Sequence, residues 1–192
     1  GPLMIGCLPE GVPGHDPNVQ PVYRHDLEKA REYLDKTPWK EGGLELDYIY
    51  VTGLEFEEQM GLVLLEQLAN FNIKLNMVAK VWPDMVAMSA HPETGADTIC
   101  VFVDQGPVAS QWFRFQWYSP FWDREEGGSF QSASFYKNPE VDALVEKVEV
   151  TVDEEERMAM VKELQRMIME DFPEIPLFTM PNILGFNDRV KG

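Results

Sequence analysis

The sequence has few of the residues that cross-link small folds or bind metal ions. Only two of its 192 residues are cysteines, Cys7 and Cys100. Two cysteines are too few for a disulfide framework or a thiolate metal cluster, although they leave a Cys7–Cys100 bridge as an alternative. Cys100 lies in an apolar run, which favours a small core residue. The three histidines, His15, His25 and His91, lack the spacing of metal ligands.

Positive charge is also scarce. The chain has 16 basic and 33 acidic residues, which give a formal net charge of -17. This balance argues against a nucleic-acid partner and against docking on an anionic membrane by charge alone. No apolar run is long enough to cross a bilayer. We therefore expect a protein that tolerates or attracts cationic ligands.

The residues that are present support one α/β domain. The apolar content is 44%, and a chain of this length can bury a core. The segments 44–51 and 73–78 alternate as strands, and an amphipathic helix at 55–71 lies between them. A β-α-β unit predicts parallel pairing. We expect the strands at 44–51, 73–78 and 98–103 to share one sheet.

The flanking segments have their own patterns. Residues 1–25 contain five prolines, which predicts an extended arm without packing. Asp26 predicts a helix N-terminus, and Asp153 with Glu156 predicts a capping box for a helix at 153–172. We expect that helix and the one at 55–71 to pack on the sheet. Residues 175–180 predict a late edge strand, since prolines interrupt its hydrogen-bonding ladder.

A buried strand and a dense aromatic segment meet in residues 97–122. The apolar run 99–103 predicts the strand, and the glycine and proline of the segment 104–107 end it. An acid at the carboxyl end of a buried strand, followed by aromatic rings, is typical of ligand sites in open α/β sheets. The predicted ligand-binding residues are Asp104, Gln105, Trp112, Arg114, Trp117, Phe121 and Trp122.

Each of these residues also has a purely structural interpretation. Asp104 is the type of residue that closes a turn or caps a helix after a strand. The rings can fill the core, and we expect a split in which some are buried and others line a cleft. Arg114 can stack on a ring, pair with a carboxylate or face solvent.

Several segments resemble the extracytoplasmic solute-binding proteins of peptide-type ABC transporters, which include oligopeptide, dipeptide and nickel binders. The segments that carry the resemblance are 21–30, the β-α-β unit ending at 65–68, 136–142, 154–157, 171–178 and 190–192. The resemblance implies one lobe of a two-lobe, type II periplasmic binding protein, with a mixed sheet and helices on both faces. Residues 1–25 would lead out of a missing first lobe, and 26–192 would form the ligand-binding lobe.

The same resemblance implies a function. In relatives that bind free peptides, an aspartate just after the central strand holds the ligand's amino terminus, and Asp104 stands at that position. Two departures concern the peptide preference: Val101 and Phe102 stand where the family often has tryptophan, and Gly106-Pro107 stand where it often has Asp-Pro. We expect capture of a peptide or similar amine-bearing solute by hinge closure, and delivery to a membrane permease. A periplasmic location is implied, with the signal peptide outside this chain.

Other functions remain as alternatives. The aromatic residues could form an exposed patch that binds a protein partner, and the isolated lobe could self-associate through that patch or through the arm. A hydrolase using Asp104 with His91 would rest on residue type alone, because the sequence has no nucleophile elbow and no phosphate-binding loop. We expect neither enzymatic activity nor a cofactor. Nickel is retained as a ligand alternative only because relatives bind it.

Overall fold

The computed structural model describes residues 2–180 and Arg189, and these form a small parallel sheet with helices around it. The last segment of the resemblance, 190–192, lies outside the described residues. The elements, in chain order, are α1 Leu27–Leu34, β1 Glu45–Val51, α2 Glu55–Ala69, β2 Lys74–Lys80, α3 Trp82–Met88, β3 Thr98–Ile99, α4 Ala109–Trp117, α5 Ser119–Trp122, a 3₁₀ turn Phe130–Ser132, α6 Pro139–Val150 and α7 Glu154–Asp171. None of the described helices is both long and apolar enough to cross a membrane.

The sheet has the order β2-β1-β3, and its strands are parallel. Tyr48 of β1 is in register with Met77 of β2, which confirms the predicted β-α-β unit and the α/β class. The mixed sheet is not found among the described strands. Antiparallel pairing there is limited to one isolated bridge between Leu3 and Phe178, which stands where a late edge strand was predicted.

Helices cover both faces of this sheet, as expected. On one face, Gly61 lets α2 approach β1 closely, because a Cβ there would lie 2.5 Å from the Tyr48 ring. On the other face, Met85 of α3 packs with Ile49 and Val51 in a small apolar cluster. Side chains alternate along a strand, so neighbouring residues of β1 serve opposite faces.

A second and larger core lies among the helices and not against the sheet. The buried face of α7 packs with α4 and α6. The prediction that the helix at 153–172 packs on the sheet is therefore wrong. The physical reason is that α4 and α6 present matching apolar faces to α7. The buried residues shared by these three helices include Trp112, Phe113, Val141, Val145, Val161, Leu164 and Ile168.

The proline-rich segment 1–25 is packed, so the expectation of an arm without packing is wrong. Cys7, Leu8, Val12 and Val19 are buried in the helical core. The buried side chain of Gln165 in α7 holds the segment, because its Oε1 accepts from the Asp16 N–H at 3.1 Å and its Nε2 donates to Gly14 O at 2.7 Å. The proposed origin of this segment in a missing first lobe remains a prediction.

The third strand is shorter than predicted. Only Thr98 and Ile99 pair with β1, whereas the apolar run predicted a strand to 103. Beyond Ile99 the chain leaves the sheet, and the Phe102 ring packs against Phe56 of α2 with 4.5 Å between centroids. The run is apolar because it packs on α2 and on the small cluster around Met85, rather than because it continues the sheet.

Candidate ligand-binding site

Aromatic side chains gather at the carboxyl edge of the sheet. Phe56 packs against Phe102, and Trp82 meets Phe130 edge-on with 4.8 Å between ring centroids. Phe102 is 40% exposed and Trp82 is 43% exposed. We call these four residues the carboxyl-edge cluster. Trp82 and Phe102 follow the ends of β2 and β3, and Phe56 lies in the first turn of the helix after β1. Ligands of open α/β sheets bind at such strand ends.

None of the four residues was among the predicted ligand contacts. They could have been found only from the positions of the strand ends. Trp82 comes two residues after β2 ends, and Phe102 comes three residues after β3 ends. Parallel strands bring their carboxyl ends to the same edge, so Trp82 and Phe102 lie at one edge of the sheet although they are distant in sequence. Counting rings within the single stretch 97–122 could not show this convergence.

Asp104 lies exposed just beyond this cluster. Its Oδ1 accepts a hydrogen bond from the Gly106 N–H at 2.9 Å, and Gly106 has φ +66. This geometry matches the turn-closing interpretation. No salt bridge between described residues includes Asp104, so its charge is open to an incoming cation. Its contact with a ligand remains a prediction.

Gln105 and Trp112 support the same turn. The indole N–H of Trp112 donates to Gly106 O at 2.9 Å, which ties the turn to α4. Gln105 is half-buried, and its amide Nε2 is buried without a hydrogen bond to any described residue. The structure therefore brings Asp104, Gln105 and Trp112 together, with a free amide donor close to an exposed carboxylate.

The two tryptophans of α4 lie in the core. Trp112 is 5% exposed and Trp117 is 2% exposed, so their rings pack against the helical core. These two therefore belong to the buried half of the expected split, and the lining of a cleft by other rings of the segment remains a prediction. Any part that Trp112 plays in binding would act through its support of the turn at Gly106.

The remaining predicted residues have partners of their own. Arg114 forms a two-point ion pair with Glu149, at 2.5 Å for each contact, and its guanidinium lies 4.9 Å from the Tyr118 ring centroid. The Glu149 carboxylate raises the pKa of Arg114. Among the described contacts, Arg114 thus behaves as a structural ion-pair residue.

Phe121 and Trp122 lie on α5 and are half-buried. The Phe121 ring meets Phe115, and Trp122 meets Phe135 edge-on at 5.6 Å. The indole N–H of Trp122 donates to Tyr136 O at 2.9 Å. None of these described contacts links α5 to the carboxyl-edge cluster.

The two segments that carry the resemblance most specifically contact each other. The Tyr136 hydroxyl and the Asn138 amide both donate to Asp171 Oδ2, at 2.5 and 2.8 Å. Asp142 accepts from the backbone N–H and the hydroxyl of Ser119, at 2.8 and 2.6 Å, and so fixes the start of α5. The motif residues therefore join α5, α6 and the end of α7.

A buried carboxyl group lies under the carboxyl edge. Glu57 is 1% exposed, and its Oε2 accepts from the Val51 N–H at 2.7 Å, where β1 turns into α2. The Tyr48 hydroxyl donates to Glu57 O at 2.7 Å. Burial raises the pKa of the Glu57 carboxyl, and the hydrogen bond from Val51 offsets this only in part. Glu57 was not predicted, since a single acid in the first turn of a helix has no distinctive pattern.

Metal binding finds no support within the described residues. They include no group of three potential metal ligands. His15 Nδ1 lies 2.9 Å from Leu8 O, and His25 Nε2 lies 3.1 Å from Gln67 Oε1.

Cys7 and Cys100 are both free thiols, so the alternative of a bridge between them is wrong.

Two shallow depressions, of about 370 and 360 Å³, lie elsewhere on the surface. The first is lined by residues around Tyr23 and α1, and the second by residues around Asn18 and Arg166. Neither lining includes a predicted ligand-binding residue or a member of the carboxyl-edge cluster. These two depressions are therefore separate from the candidate site.

Comparisons with known proteins agree with the fold. No protein-family model matches the chain. The probable D,D-dipeptide-binding periplasmic protein DdpA of Escherichia coli (strain K12) is 27% identical over 202 residues, which cover 100% of this chain and 36% of DdpA. The similarity therefore runs through the whole chain but through only about a third of the relative.

Solved structures give the same picture. The ABC transporter-associated periplasmic binding protein DppA from Helicobacter pylori, in complex with the peptide STSA, has a TM-score of 0.80 at 20% identity and covers 91% of this chain and 33% of that chain. The oligopeptide-binding protein AppA from Bacillus subtilis, in complex with a nonapeptide, has a TM-score of 0.74 at 17% identity, with 90% and 35% covered. AgaA from A. tumefaciens R10, in complex with agropinic acid, has a TM-score of 0.76 at 16% identity, with 92% and 35% covered.

These comparisons confirm the resemblance seen in the sequence. DdpA and DppA are named as periplasmic proteins, DdpA and AppA are named as binders of dipeptides and oligopeptides, and DppA is named as associated with an ABC transporter. The described fold corresponds to one portion of the type II periplasmic binding fold.

Proposed function

We propose that this chain is one lobe of a periplasmic solute-binding protein that delivers a peptide or similar amine-bearing solute to an ABC permease. The observation that carries the proposal is the exposure of Trp82 and Phe102 at the carboxyl edge, with the exposed carboxylate of Asp104 two residues after Phe102. The curated relative and the structural neighbours support the transport role, and their periplasmic names support the location. Binding and release without chemistry would make the protein a carrier and not an enzyme.

The chemistry of the site suits an ammonium group. A carboxylate in a closing cleft forms charge-assisted hydrogen bonds with an ammonium, and exposed aromatic faces attract the same cation. AgaA, which has a similar fold, is in complex with agropinic acid. This supports solutes other than peptides as ligands of proteins with this fold.

Hinge closure is supported by the way the chain reaches the lobe. The Met4 N–H donates to Leu177 O at 3.2 Å, and the Thr179 N–H donates to Pro2 O at 3.1 Å. We call this pairing of residues 2–4 with 177–179 the terminal ribbon. A pairing of this kind can serve as a hinge, because rotation about it would leave most of the packing of the helical core intact, as hinge motions require. Rotation would bring a second lobe over the open carboxyl edge.

The alternative of a free-standing interaction module has lost its main support. It required the aromatic segment to form an exposed patch, whereas Trp112, Phe113 and Trp117 are buried. Self-association of the isolated lobe remains an untested prediction.

Trp82→Ala tests the proposed site. In a longer protein that contains this chain, we expect the change to weaken binding of the tetrapeptide STSA about fivefold, because an exposed aromatic contact is worth about 1 kcal/mol. Isothermal titration calorimetry would measure it. Trp39→Ala is the matched control, since Trp39 is equally exposed at 43% but lies in the loop before β1, at the opposite edge of the sheet. Equal losses in both variants would place the solute elsewhere.

A further inference from the structure

The depression beside α1 combines basic side chains with aromatic rings. It has a volume of about 370 Å³ and lies between one side of α1 and the segment that precedes this helix. Arg24 and Lys29 supply two basic groups to its lining, and Tyr23 and Tyr33 supply two rings. The other lining residues are Val22, Asp26 and Ala30.

The two basic residues of this lining have no partner among the described contacts. Neither Arg24 nor Lys29 takes part in a described salt bridge or donates a described side-chain hydrogen bond. Asp26 is the acid of the lining, and its Oδ1 already accepts from the backbone N–H of Lys29 at 3.0 Å. The described lining therefore has an excess of positive charge, although the formal net charge of the chain is -17.

Other contacts fix the two walls of the depression. The Tyr23 ring packs on Phe172 with 4.0 Å between centroids, which holds the segment before α1 against the helical core. Arg31 holds α1 itself, because it donates to Asn70 O at 3.4 Å, just after α2 ends. The walls are thus anchored without the two basic residues of the lining, whose charges stay open to a ligand.

The helix that forms one wall has an apolar side that the described fold leaves uncovered. Surface helices normally bury their apolar stripe against a core, yet none of the eight residues of α1 is buried. Ala30 and Tyr33 of this helix line the depression, and the Tyr33 side chain is 52% exposed. Apolar and aromatic surface is therefore available beside the unpaired cations.

The second depression, beside α7, has nearly the same volume but a different lining. Its basic residues are Lys162 and Arg166, and the acids Asp16 and Glu163 also line it, so its charges balance. Arg166 is already paired with Glu163 and with Glu170, at 2.6 and 2.5 Å. The lining described for this depression includes no aromatic ring. Size alone therefore does not give the chemistry found beside α1.

We propose that the depression beside α1 binds an aromatic carboxylate, with Arg24 and Lys29 on the carboxylate and the tyrosine rings against the ring of the ligand. A guanidinium group matches a carboxylate through two parallel hydrogen bonds, and aromatic rings attract one another in offset or edge-on arrangements. The net negative charge of the chain does not prevent this, because salt screens exposed charges beyond about 8 Å at physiological ionic strength. The site lies apart from the carboxyl-edge cluster and therefore goes beyond the proposed function.

Benzoate is the probe for this site, titrated into the isotope-labelled 192-residue chain and followed by the amide chemical shifts in nuclear magnetic resonance spectra. We expect the shifts to concentrate at the amides of Lys29 and Ala30. Arg24→Gln and Lys29→Gln should each raise the Kd about tenfold, because each removes hydrogen bonds to a charged group. Lys162→Gln is the matched control, since Lys162 lines the second depression, and it should leave the Kd unchanged. Equal Kd values in all three variants, or no shifts in the wild type, would overturn the proposal.

Two further ligands separate the charge of the probe from its ring. Benzamide has the same ring without the charge, so it should bind at least about tenfold more weakly than benzoate. Inorganic phosphate has charge without a ring, so it should also bind more weakly, and Tyr33→Ala should weaken benzoate about fivefold while leaving phosphate unchanged. Benzamide that binds as tightly as benzoate would overturn the role of the cations. Phosphate that binds as tightly as benzoate would overturn the aromatic class of ligand.

Discussion

Leu164→Ala is expected to lower the free energy of unfolding by about 3 kcal/mol. Leu164 is fully buried in α7, at the centre of the core formed with α4, α6 and the N-terminal segment. Truncating a buried leucine loses its transfer free energy and leaves a cavity, which together cost about 2–5 kcal/mol. Urea denaturation followed by far-ultraviolet circular dichroism would measure the change.

The control for this prediction is a leucine outside both cores. Leu62 in α2 is 54% exposed, so Leu62→Ala should change stability by less than about 0.5 kcal/mol. Similar losses in the two variants would mean that the helical core is not the main stabilising unit. A further outcome is informative: if the sheet cluster around Met85 unfolds separately, Leu164→Ala should split the transition into two.

The β-α-β unit could be predicted because its signals are local. Alternation in β1 and β2, and the apolar stripe of α2, are fixed by the periods of a strand and a helix. The bounds of β1, Glu45–Val51, fall within one residue of the predicted segment 44–51. Asp26 and Asp153 likewise accept hydrogen bonds from the N–H groups of Lys29 and Glu156, because capping needs only neighbouring residues.

The packing of residues 1–25 could not be predicted from the same kind of signal. Proline excludes regular helix and strand, but it does not exclude burial. Gly14 approaches α7 so closely that a Cβ there would lie 2.5 Å from Val161 Cγ1, and its φ is +93. The bonds of Gln165 to this segment join residues about 150 positions apart. Such contacts are visible only once the tertiary structure is known.

Only part of the candidate site could be predicted from the aromatic segment. The buried residues of α4 are Ala109, Trp112, Phe113, Gln116 and Trp117, which lie on one helical face. Helical spacing in the sequence therefore predicts which aromatic residues of α4 are buried in the core. The exposed rings of Trp82 and Phe102 could not be found in this way, because helical spacing says nothing about residues that follow two different strands.

Asp104→Asn is expected to weaken peptide binding by about 1.5–3 kcal/mol, the usual scale for a hydrogen bond to a charged group, in a longer protein that contains this chain. This corresponds to about a 10- to 150-fold rise in Kd for STSA by calorimetry. The reason is the exposed carboxylate beside the carboxyl-edge cluster, with no described salt bridge to neutralise it. Folding should survive, because the side-chain oxygen of asparagine can still accept from the Gly106 N–H that Asp104 now binds. A large fall in melting temperature would instead mark Asp104 as a structural residue of the turn.

A second ligand separates the charge of Asp104 from general damage. N-acetyl-STSA lacks the free amine, so it should bind the wild type about as weakly as STSA binds the variant. The acetyl group should barely affect binding to the Asp104→Asn variant, because the interaction that it removes is already absent. A double-mutant cycle over the two proteins and two peptides gives the coupling energy directly. If the two changes add independently, Asp104 does not hold the amine, and the aromatic faces of Trp82 and Phe102 would then favour a neutral, sugar-like solute.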